Sequence, residues 1–381
     1  MKRAAALIAA ALAVAGCSSW NPLVALGLKT EPIHKPTPLA PIKESVKPIA
    51  VWTASAGKSQ GYVFRPALDR GRIYAAAGDG TIVALEEATG RVASRIETKK
   101  KLSGGLTVAG EKIFAGTAKG EVLALDASGK VLWAGAVAGE VIAPPAVSKN
   151  IVVARTSDGR IFGLNADDGK RVWVFQRPTP SLLLRSEAGV LAMGGDVVAG
   201  YPNGKLIALD LEDGKLTWEA SVSLPRGSTE LERIADVAGL PVIDGSNVCA
   251  AAFQGKVACF DIQTRNLVWS KDLSTALDFG VDAKNFYLVD DDNKVHALDK
   301  ASGASVWAQD KLMYRKLTAP VVAGSYIVVG DGFGYIHVLA ADNGEIVGRL
   351  ATDGSAVSSL IPAGRGVIAQ TAKGSVVSVR F

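Results

Sequence analysis

The stretch KGEVLALDASGKVLW, residues 119–133, decides the fold because the chain repeats it along its length. Each copy has a turn residue, an alternating apolar run, a second turn, and a run that usually ends in tryptophan. The other copies are DGTIVALEEATGRVAS (79–94), DGRIFGLNADDGKRVW (158–173), NGKLIALDLEDGKLTW (203–218), QGKVACFDIQTRNLVW (254–269), DNKVHALDKASGASVW (292–307), FGYIHVLAADNGEIVG (333–348) and the partial KGSVVSVRF (373–381). A period of about 42 residues is typical of solenoids and propellers.

Each repeat predicts four short strands. The first turn position holds a residue suited to the left-handed backbone of a hairpin loop. These residues are Gly80, Gly120, Gly159, Gly204, Gly255, Asn293, Gly334 and Gly374. The second turn carries Gly90, Gly129, Gly169, Gly214, Gly303 and Gly344, with Arg265 as the exception. Four residues later stand Trp133, Trp173, Trp218, Trp269 and Trp307, while Ser94 and Gly348 depart from the pattern. We expect these indoles to pack between the blades of an all-β, eight-bladed propeller with four-stranded antiparallel blades.

The two ends of the sequence together supply a closure device. The eighth copy stops at Phe381, before its final strand and tryptophan. Both are present in Ile49-Ala50-Val51-Trp52, and Trp52 precedes Gly80 by 28 residues, close to the spacing in other repeats. A stacked solenoid is the rival architecture, but a ring is what predicts such a device. We expect the N-terminal strand to complete the eighth blade and to cover exposed strand edges.

The start of the chain predicts export and lipid attachment. Lys2-Arg3 precedes an apolar run that is too short to span a bilayer as a helix. Val14-Ala15-Gly16-Cys17 resembles a bacterial lipoprotein cleavage box. Residues 1–16 are therefore predicted to be a signal peptide, and Cys17 the lipid-bearing, palmitate-modified first residue of the mature protein. Ser18, in place of an aspartate, favours the outer membrane over the inner membrane.

The remaining organisation follows from composition. Residues 17–48 include six of the sixteen prolines and no burial pattern, which predicts an extended tether. Residues 49–381 form the predicted propeller, which would face the periplasm. The net charge of +5 falls to about +3 without the signal peptide, too little to indicate a nucleic-acid partner.

Two connections between repeats are longer than the others. The step to the next turn residue is 31 residues from Trp173 and 37 from Trp218, against 24–28 elsewhere. The extra residues fall in PTPSLLLRSEAG (178–189) and LPRGSTELERIADVAGLP (224–241), at one end of the ring and in adjacent positions. The inner strand of the fourth blade is expected near residues 186–192. The ELERIADV portion (230–237) is expected to form a short helix with Leu231 and Ile234 on one face.

These two insertions have two interpretations. Their leucines could cap the ring or plug its axial channel. Alternatively, they form an apolar patch with a charged rim, suited to a protein partner. The coincidence of two long loops at one place favours the partner, because loops that outgrow a repeat commonly form the binding face.

No catalytic constellation is predicted, and neither a cofactor nor a metal. The three histidines, His34, His296 and His337, are scattered through the sequence. Most acidic residues belong to the repeated turn, where aspartate caps the turn backbone. Cys249 and Cys259 flank the turn at Gly255. They are either opposite each other in a periplasmic disulfide or two buried thiols, depending on the register of the hairpin.

The repeat resembles that of the pyrroloquinoline-quinone enzymes. KGEVLALDASGKVLW is a close example, and the resemblance covers nearly all of residues 50–381. It implies a fold more than an activity. Quinone dehydrogenases are typically longer and resemble one another in a vicinal cysteine pair and calcium-binding acids, and this chain has no Cys-Cys dipeptide. A quinone dehydrogenase and a stand-alone ligand-binding propeller remain the alternatives.

The lipoprotein box, the proline-rich segment and the eight repeats together resemble the BamB family of outer-membrane β-barrel assembly lipoproteins. The family's P-S-L-x-L-R motif is matched by residues 180–185. The resemblance implies that Leu182, Leu184 and Arg185 contact the POTRA domains of BamA, whereas Leu183 faces the blade. The family's S-D-V-D motif, which the resemblance implies is a polar contact with the partner, reads Ala235-Asp236-Val237-Ala238 here. Asp236 matches this partner contact, and the second acid is missing.

The resemblance also implies a role for the second long loop and for the molecule as a whole. Glu232 or Glu230 could replace the missing acid, and Arg233 lies beside them in the same loop. The implied function is that of a non-enzymatic scaffold in the Bam complex, which supports insertion of outer membrane proteins. Unfolded outer membrane proteins are further candidate partners.

Overall fold

The computed structural model describes residues 34–180, 182–185, 187 and 189–381. The predicted signal peptide, Cys17 and most of the predicted tether lie outside these residues. The described chain forms eight four-stranded antiparallel sheets arranged as a β-propeller, as the repeats predict. No helix in this part of the protein has the length and apolar character needed to span a bilayer.

The strands occupy equivalent positions in every blade. The innermost strands are β2 (Ala67–Asp69), β6 (Leu102–Ala109), β10 (Ala146–Ser148), β14 (Leu191–Met193), β18 (Val242–Asp244), β22 (Gly280–Val281), β26 (Val321–Ala323) and β30 (Val357–Ala363). The second strands are β3 (Arg72–Ala76), β7 (Lys112–Thr117), β11 (Ile151–Arg155), β15 (Asp196–Tyr201), β19 (Asn247–Ala251), β23 (Asn285–Val289), β27 (Tyr326–Gly330) and β31 (Gly366–Thr371).

The third strands are β4 (Thr81–Glu86), β8 (Glu121–Asp126), β12 (Ile161–Asn165), β16 (Lys205–Asp210), β20 (Lys256–Asp261), β24 (Val295–Asp299), β28 (Tyr335–Ala340) and β32 (Ser375–Arg380). The outermost strands are β5 (Val92–Glu97), β9 (Val131–Ala136), β13 (Arg171–Phe175), β17 (Leu216–Ser221), β21 (Leu267–Asp272), β25 (Ser305–Gln309), β29 (Ile346–Ala351) and β1 (Ile49–Ser55). Blades are numbered from β2–β5 as blade 1, so blade 8 consists of β30, β31, β32 and β1.

The N-terminal strand closes the ring. β1 pairs antiparallel with β32, the last strand of the chain, with Ile49 opposite Arg380 and Ser55 opposite Ser375. The Trp52 indole N–H donates to the carbonyl of Glu87 in blade 1, 2.9 Å away. The predicted closure is therefore confirmed: backbone pairing joins the first and last strands, and the Trp52 indole joins blade 8 to blade 1.

Antiparallel order gives the propeller two different ends. The connections from each outermost strand to the next innermost strand lie at one end, together with the turns between second and third strands. We call this end the long-loop face, because residues 176–190 and 222–241 belong to it. The remaining turns lie at the other end, which we call the opposite face.

Tryptophans hold neighbouring blades together. The indole N–H groups of Trp133, Trp173, Trp269 and Trp307 donate to backbone carbonyls of the following blade at 2.8–3.1 Å. Each ring packs on the glycine of the second turn, as Trp173 does on Gly214. Eight apolar clusters within and between neighbouring blades complete the core of the described chain.

Residues 37–48, part of the predicted tether, lie against blade 7. The backbone N–H groups of Ser45 and Val46 donate to the carbonyl of Val347, each at 3.1 Å. Gly348 stands where other blades have tryptophan, and a Cβ on it would lie only 2.7 Å from the carbonyl oxygen of Val46. Leu39 and Ile42 pack on the apolar cluster of blades 6 and 7. The missing indole is thus replaced by chain from the N-terminal side.

Two local predictions are wrong. The innermost strand of blade 4 begins at Leu191, later than the expected 186–192, because innermost strands close to the axis are short in most blades. The positive φ of the turn between β19 and β20 belongs to Gln254, at 49°, and not to Gly255. Gly255 is needed for space instead, since a Cβ there would lie 2.7 Å from the side chain of Ser223.

The register of that hairpin places Cys249 opposite Cys259. Their Cα atoms are 4.1 Å apart and the structure joins them in a disulfide. Both residues are fully buried. The bridge links two adjacent strands of blade 5, so its role is structural.

Candidate partner-binding surface

The two long loops meet on the long-loop face through Asp236. This aspartate is only 6% exposed. One carboxylate oxygen accepts from the backbone N–H of Leu184 at 2.9 Å, and the other accepts from the N–H of Asn203 at 3.2 Å. Because a hydrogen bond to a charged acceptor is strong when buried, Asp236 fixes the first loop to the second and both to blade 4.

A half-buried arginine stands behind this junction. Arg155 ends β11, and its guanidinium lies 6.0 Å from the ring centre of Tyr201. Burial lowers the pKa of Arg155, and the charge of Asp236 and the nearby Tyr201 oppose that shift. Arg155 and Asp236 line the same small cavity beneath the junction of the two loops.

The three leucines of the first loop differ in exposure. Leu182 is 42% exposed, while Leu183 and Leu184 are half-buried. Both half-buried leucines line a small cavity with Arg155 and Asp236. Of the leucines predicted to contact a partner, Leu182 is thus the one that offers its side chain to solvent, and Leu184 is held by its backbone.

Arg185 is oriented by two residues that the sequence did not single out. Its guanidinium donates to Glu140 at 3.1 Å and lies 5.8 Å from the ring centre of Tyr62. The Tyr62 hydroxyl donates to the other oxygen of Glu140 at 2.9 Å. Desolvation raises the pKa of Tyr62, and Glu140 adds to this effect while Arg185 opposes it. The Arg185 side chain remains 59% exposed, so these contacts orient it and leave it accessible to solvent.

The second loop does not contain the expected helix. Residues 230–233 form a single turn, in which the Arg233 N–H donates to the carbonyl of Thr229 at 3.1 Å. The Glu232 carboxylate accepts from the N–H groups of Ser228 and Thr229 at 2.7 and 3.1 Å and caps this turn. These bonds lower the pKa of Glu232.

The chain then becomes extended because its apolar residues are buried against blade 4. Ala235, Val237 and Ala238 are each no more than 2% exposed. The Val237 N–H donates to the carbonyl of Tyr201 at 3.2 Å, a bond that a continuing helix would forbid. Leu231, expected on the same helical face as Ile234, is instead 65% exposed.

These positions decide what each remaining predicted residue can do. The Glu232 carboxylate is engaged within its own loop, whereas Glu230 and Arg233 are exposed. Ala238 occupies a buried position, where an acidic side chain would lose its contact with water. Leu224, which the sequence analysis did not select, is 63% exposed and adds apolar surface to the same loop.

A second ion pair, between Arg65 and Asp278, joins two other connections of the long-loop face. Arg65, in the connection to blade 1, donates to Asp278 in the connection to blade 6, at 2.5 Å. Asp278 also accepts from the backbone N–H of Leu240 at 2.8 Å, at the end of the second long loop. The second long loop is therefore held to the first by Asp236 and, at its end, by Asp278, which Arg65 also binds.

Acidic and histidine side chains elsewhere serve the turns. Asp126 accepts from the Ser128 hydroxyl and from the backbone N–H of Lys130. His296 and His337 each bond the aspartate of the preceding turn, Asp290 and Asp331, at 2.8 and 3.0 Å. Within residues 34–381, apart from the three undescribed positions, no group of three or more such side chains is arranged to hold a metal ion.

Known proteins with a similar sequence or structure indicate the family of this chain. The family described as "Outer membrane protein assembly factor BamB" matches residues 78–309. The chain belongs to the BamB family. The assembly factor BamB of Bordetella pertussis is 37% identical over 99% of this chain and 97% of its own length. That of Nitrosomonas eutropha is 44% identical over 86% and 80%. The crystal structure of BamB from Moraxella catarrhalis superposes with a TM-score of 0.81 at 29% identity, covering 88% of this chain and 100% of that one.

Proposed function

We propose that this protein is a non-enzymatic scaffold lipoprotein of the outer membrane. It binds the POTRA domains of BamA through its long-loop face, within the Bam complex, and supports the folding and insertion of outer membrane proteins. Cys17 carries the lipid, and the propeller faces the periplasm. The relatives' shared description as outer membrane protein assembly factors supports this proposal.

The observation that carries it is the pairing of an exposed apolar side chain with an oriented cation. Leu182 offers apolar area, and Arg185 stands beside it, held by Glu140 and Tyr62. Interface hot spots commonly combine an apolar anchor with a directional charged donor. Leu224 and Leu231 widen the apolar area on the neighbouring loop.

The hydrogen bonds that anchor these loops support a docking role further. The carboxylates of Asp236, Asp278 and Glu140 each accept a hydrogen bond from a residue of a long loop. A preformed surface loses little conformational entropy when a partner binds. Plugging the axial channel would require the leucines to be covered, whereas Leu182, Leu224 and Leu231 are exposed.

Co-purification tests the proposal. The protein is extracted from outer membranes in mild detergent with its lipid anchor intact, and captured through a C-terminal tag. We expect BamA to be retained in near-stoichiometric amount. Absence of BamA, with the propeller still folded, would contradict a scaffold role. Dye-linked oxidation of alcohols after addition of calcium and quinone would instead support an enzyme.

A further inference from the structure

The seam between blades 4 and 5 differs from the other tryptophan seams. At Trp52, Trp133, Trp173, Trp269 and Trp307 the indole N–H bonds a carbonyl three residues before the second-turn position. Within the described residues, the Trp218 indole makes no such bond. The second-turn position facing it is Arg265, with φ of 63°, where the other five seams have glycine. A Cβ at those glycines would collide with the ring, so Arg265 prevents Trp218 from docking in the usual way.

The consequence is a cavity that opens on the opposite face. Its volume is about 370 Å³, and its walls are mainly apolar. They include Leu191, Val198, Trp218, Ile243 and Val248. Met193 and Ile262, which also line it, are 53% and 44% exposed, so the cavity is open to solvent.

The size and chemistry of the cavity favour one kind of occupant. The volume lies at the lower end of the range for ligand sites and accommodates a single aromatic group. The half-buried Trp218 indole in the cavity wall suits an aromatic ring, and the flexible Met193 adapts to variable shapes. Small-molecule sites also have several convergent polar groups. Here the Thr217 hydroxyl already donates to the carbonyl of Ala208.

The charged residues at the rim of the cavity also favour a neutral apolar occupant. Asp196 and Arg265 line the cavity, and neither forms an ion pair with a described side chain. One is an acid and the other a base, so the rim selects neither an anion nor a cation. A neutral apolar side chain, flanked by polar backbone that both charges can contact, fits this rim better than a charged metabolite.

We propose that this cavity binds an aromatic side chain of an extended, unfolded polypeptide. The inference rests on the proposed function to the extent that an assembly factor meets unfolded outer membrane proteins. Since the cavity lies on the opposite face, a polypeptide bound there leaves Leu182 and Arg185 accessible to BamA.

The methionines allow a direct test. The sequence contains three, Met1, Met193 and Met313, and Met1 belongs to the predicted signal peptide. The mature, lipidated protein in lipid nanodiscs is labelled with ¹³C in its methionine methyl groups. It is titrated with the capped peptide acetyl-Gly-Ser-Phe-Ser-Gly-amide. We expect a saturable shift of the Met193 methyl resonance and none at Met313, which contacts Thr37 away from the cavity.

Three comparisons make the result decisive. Replacing Phe by Ala in the peptide should weaken binding about tenfold or more, because the buried ring is lost. Ile262→Asp should weaken it about tenfold, since the new carboxylate makes the wall polar. Val306→Asp, at a residue 49% exposed in blade 6, is the matched control and should leave binding unchanged.

Other outcomes would overturn the proposal. An unmoved Met193 resonance at saturating peptide would exclude the side-chain site. Binding of free phenylalanine but not of the capped peptide would assign the cavity to a small zwitterion. Ile262→Asp is also expected to keep BamA on co-purification. If the wild-type protein fails to co-purify with BamA but still binds the peptide, the result counts against the proposed function and not against the cavity site.

Discussion

The carboxylate of Asp236 accepts the backbone N–H of Leu184 at 2.9 Å, so one residue of the second long loop sets the position of the first. Its other oxygen accepts from Asn203, in a turn of blade 4. A residue that the family motif marks as a partner contact is thus almost fully buried, at 6% exposure. Asp236 therefore affects partner binding indirectly, because it positions the first long loop.

Asp236→Ala should therefore impair binding without unfolding the propeller. The change leaves two partly buried N–H groups without their charged acceptor, at a cost of about 1–3 kcal/mol in the free energy of unfolding. We expect a matching fall in the urea midpoint and a larger loss of BamA affinity. Asp261→Ala, which removes a half-buried aspartate that caps a turn of the opposite face, is the control and should retain BamA binding. Normal affinity in Asp236→Ala would show that the loop is held by other means.

Arg265→Gly should stabilise the protein. Arg265 has φ of 63°, a conformation that costs a residue with a Cβ about 1–2 kcal/mol. Glycine removes that cost and lets Trp218 approach the turn, so we expect a gain of about 1 kcal/mol by urea unfolding. The reciprocal change, Gly303→Arg, should destabilise, because a Cβ there would lie 2.4 Å from the Trp269 ring. An unchanged or lower midpoint in Arg265→Gly would contradict this account of the seam.

His337 should make stability depend on pH. It is fully buried, bonds Asp331 at 3.0 Å through Nε2, and accepts from Arg349 at 3.3 Å through Nδ1. Burial lowers the pKa of His337, Arg349 and Arg315 lower it further, and Asp331 opposes them. The unfolded chain takes up the proton near pH 6.5, whereas the folded protein does so only at lower pH. Stability should therefore fall as pH decreases below about 6.5.

The measurement is the urea midpoint at pH 7.5 and pH 5.0, in wild type and His337→Gln. The wild type should lose more stability on acidification than the variant. Arg349 also donates to the carbonyl of Ala40, so residues 37–48 should become more accessible to protease at pH 5.0. Equal pH dependence in the two proteins would remove His337 from this role.

The Cys249–Cys259 bridge should contribute to stability alone. It closes a loop of 10 residues, for which the chain-entropy relation gives about 2–3 kcal/mol. We expect Cys249→Ala with Cys259→Ala to lower the free energy of unfolding by that order and to keep BamA binding. Intact mass after alkylation of denatured, unreduced protein is the direct check. Two alkylated cysteines would show that the bridge is not formed.

The sequence allowed the ring to be predicted because its determinants recur. Turn residues and tryptophans at fixed spacing report local backbone and inter-blade packing, and the Trp52 strand follows from the missing end of the last repeat. The location of the long loops follows from the same spacing. The departure at Arg265 is visible in sequence, but its result, a cavity beside Trp218, requires coordinates.

Other features depend on contacts between distant residues. Tyr62 and Glu140 orient Arg185 from two other loops, and nothing in their local sequence signals that role. The apolar spacing of residues 230–237 suggested a helix, but burial of Ala235 and Val237 against blade 4 overrides it. Residues 37–48 have no periodic pattern, because they fit a groove that blade 7 leaves at Gly348.

The most direct test of the proposed docking surface is the affinity of the soluble BamA POTRA domains for the double variant Leu182→Ala, Arg185→Ala. The control is Leu267→Ala with Lys271→Ala, an exposed leucine and a half-buried lysine on the outermost strand of blade 5. We expect the double variant to lose at least about 2 kcal/mol of binding free energy, roughly thirtyfold in affinity, with a melting temperature close to wild type. Wild-type affinity in this variant, or equal loss in the control, would contradict the assignment of this surface.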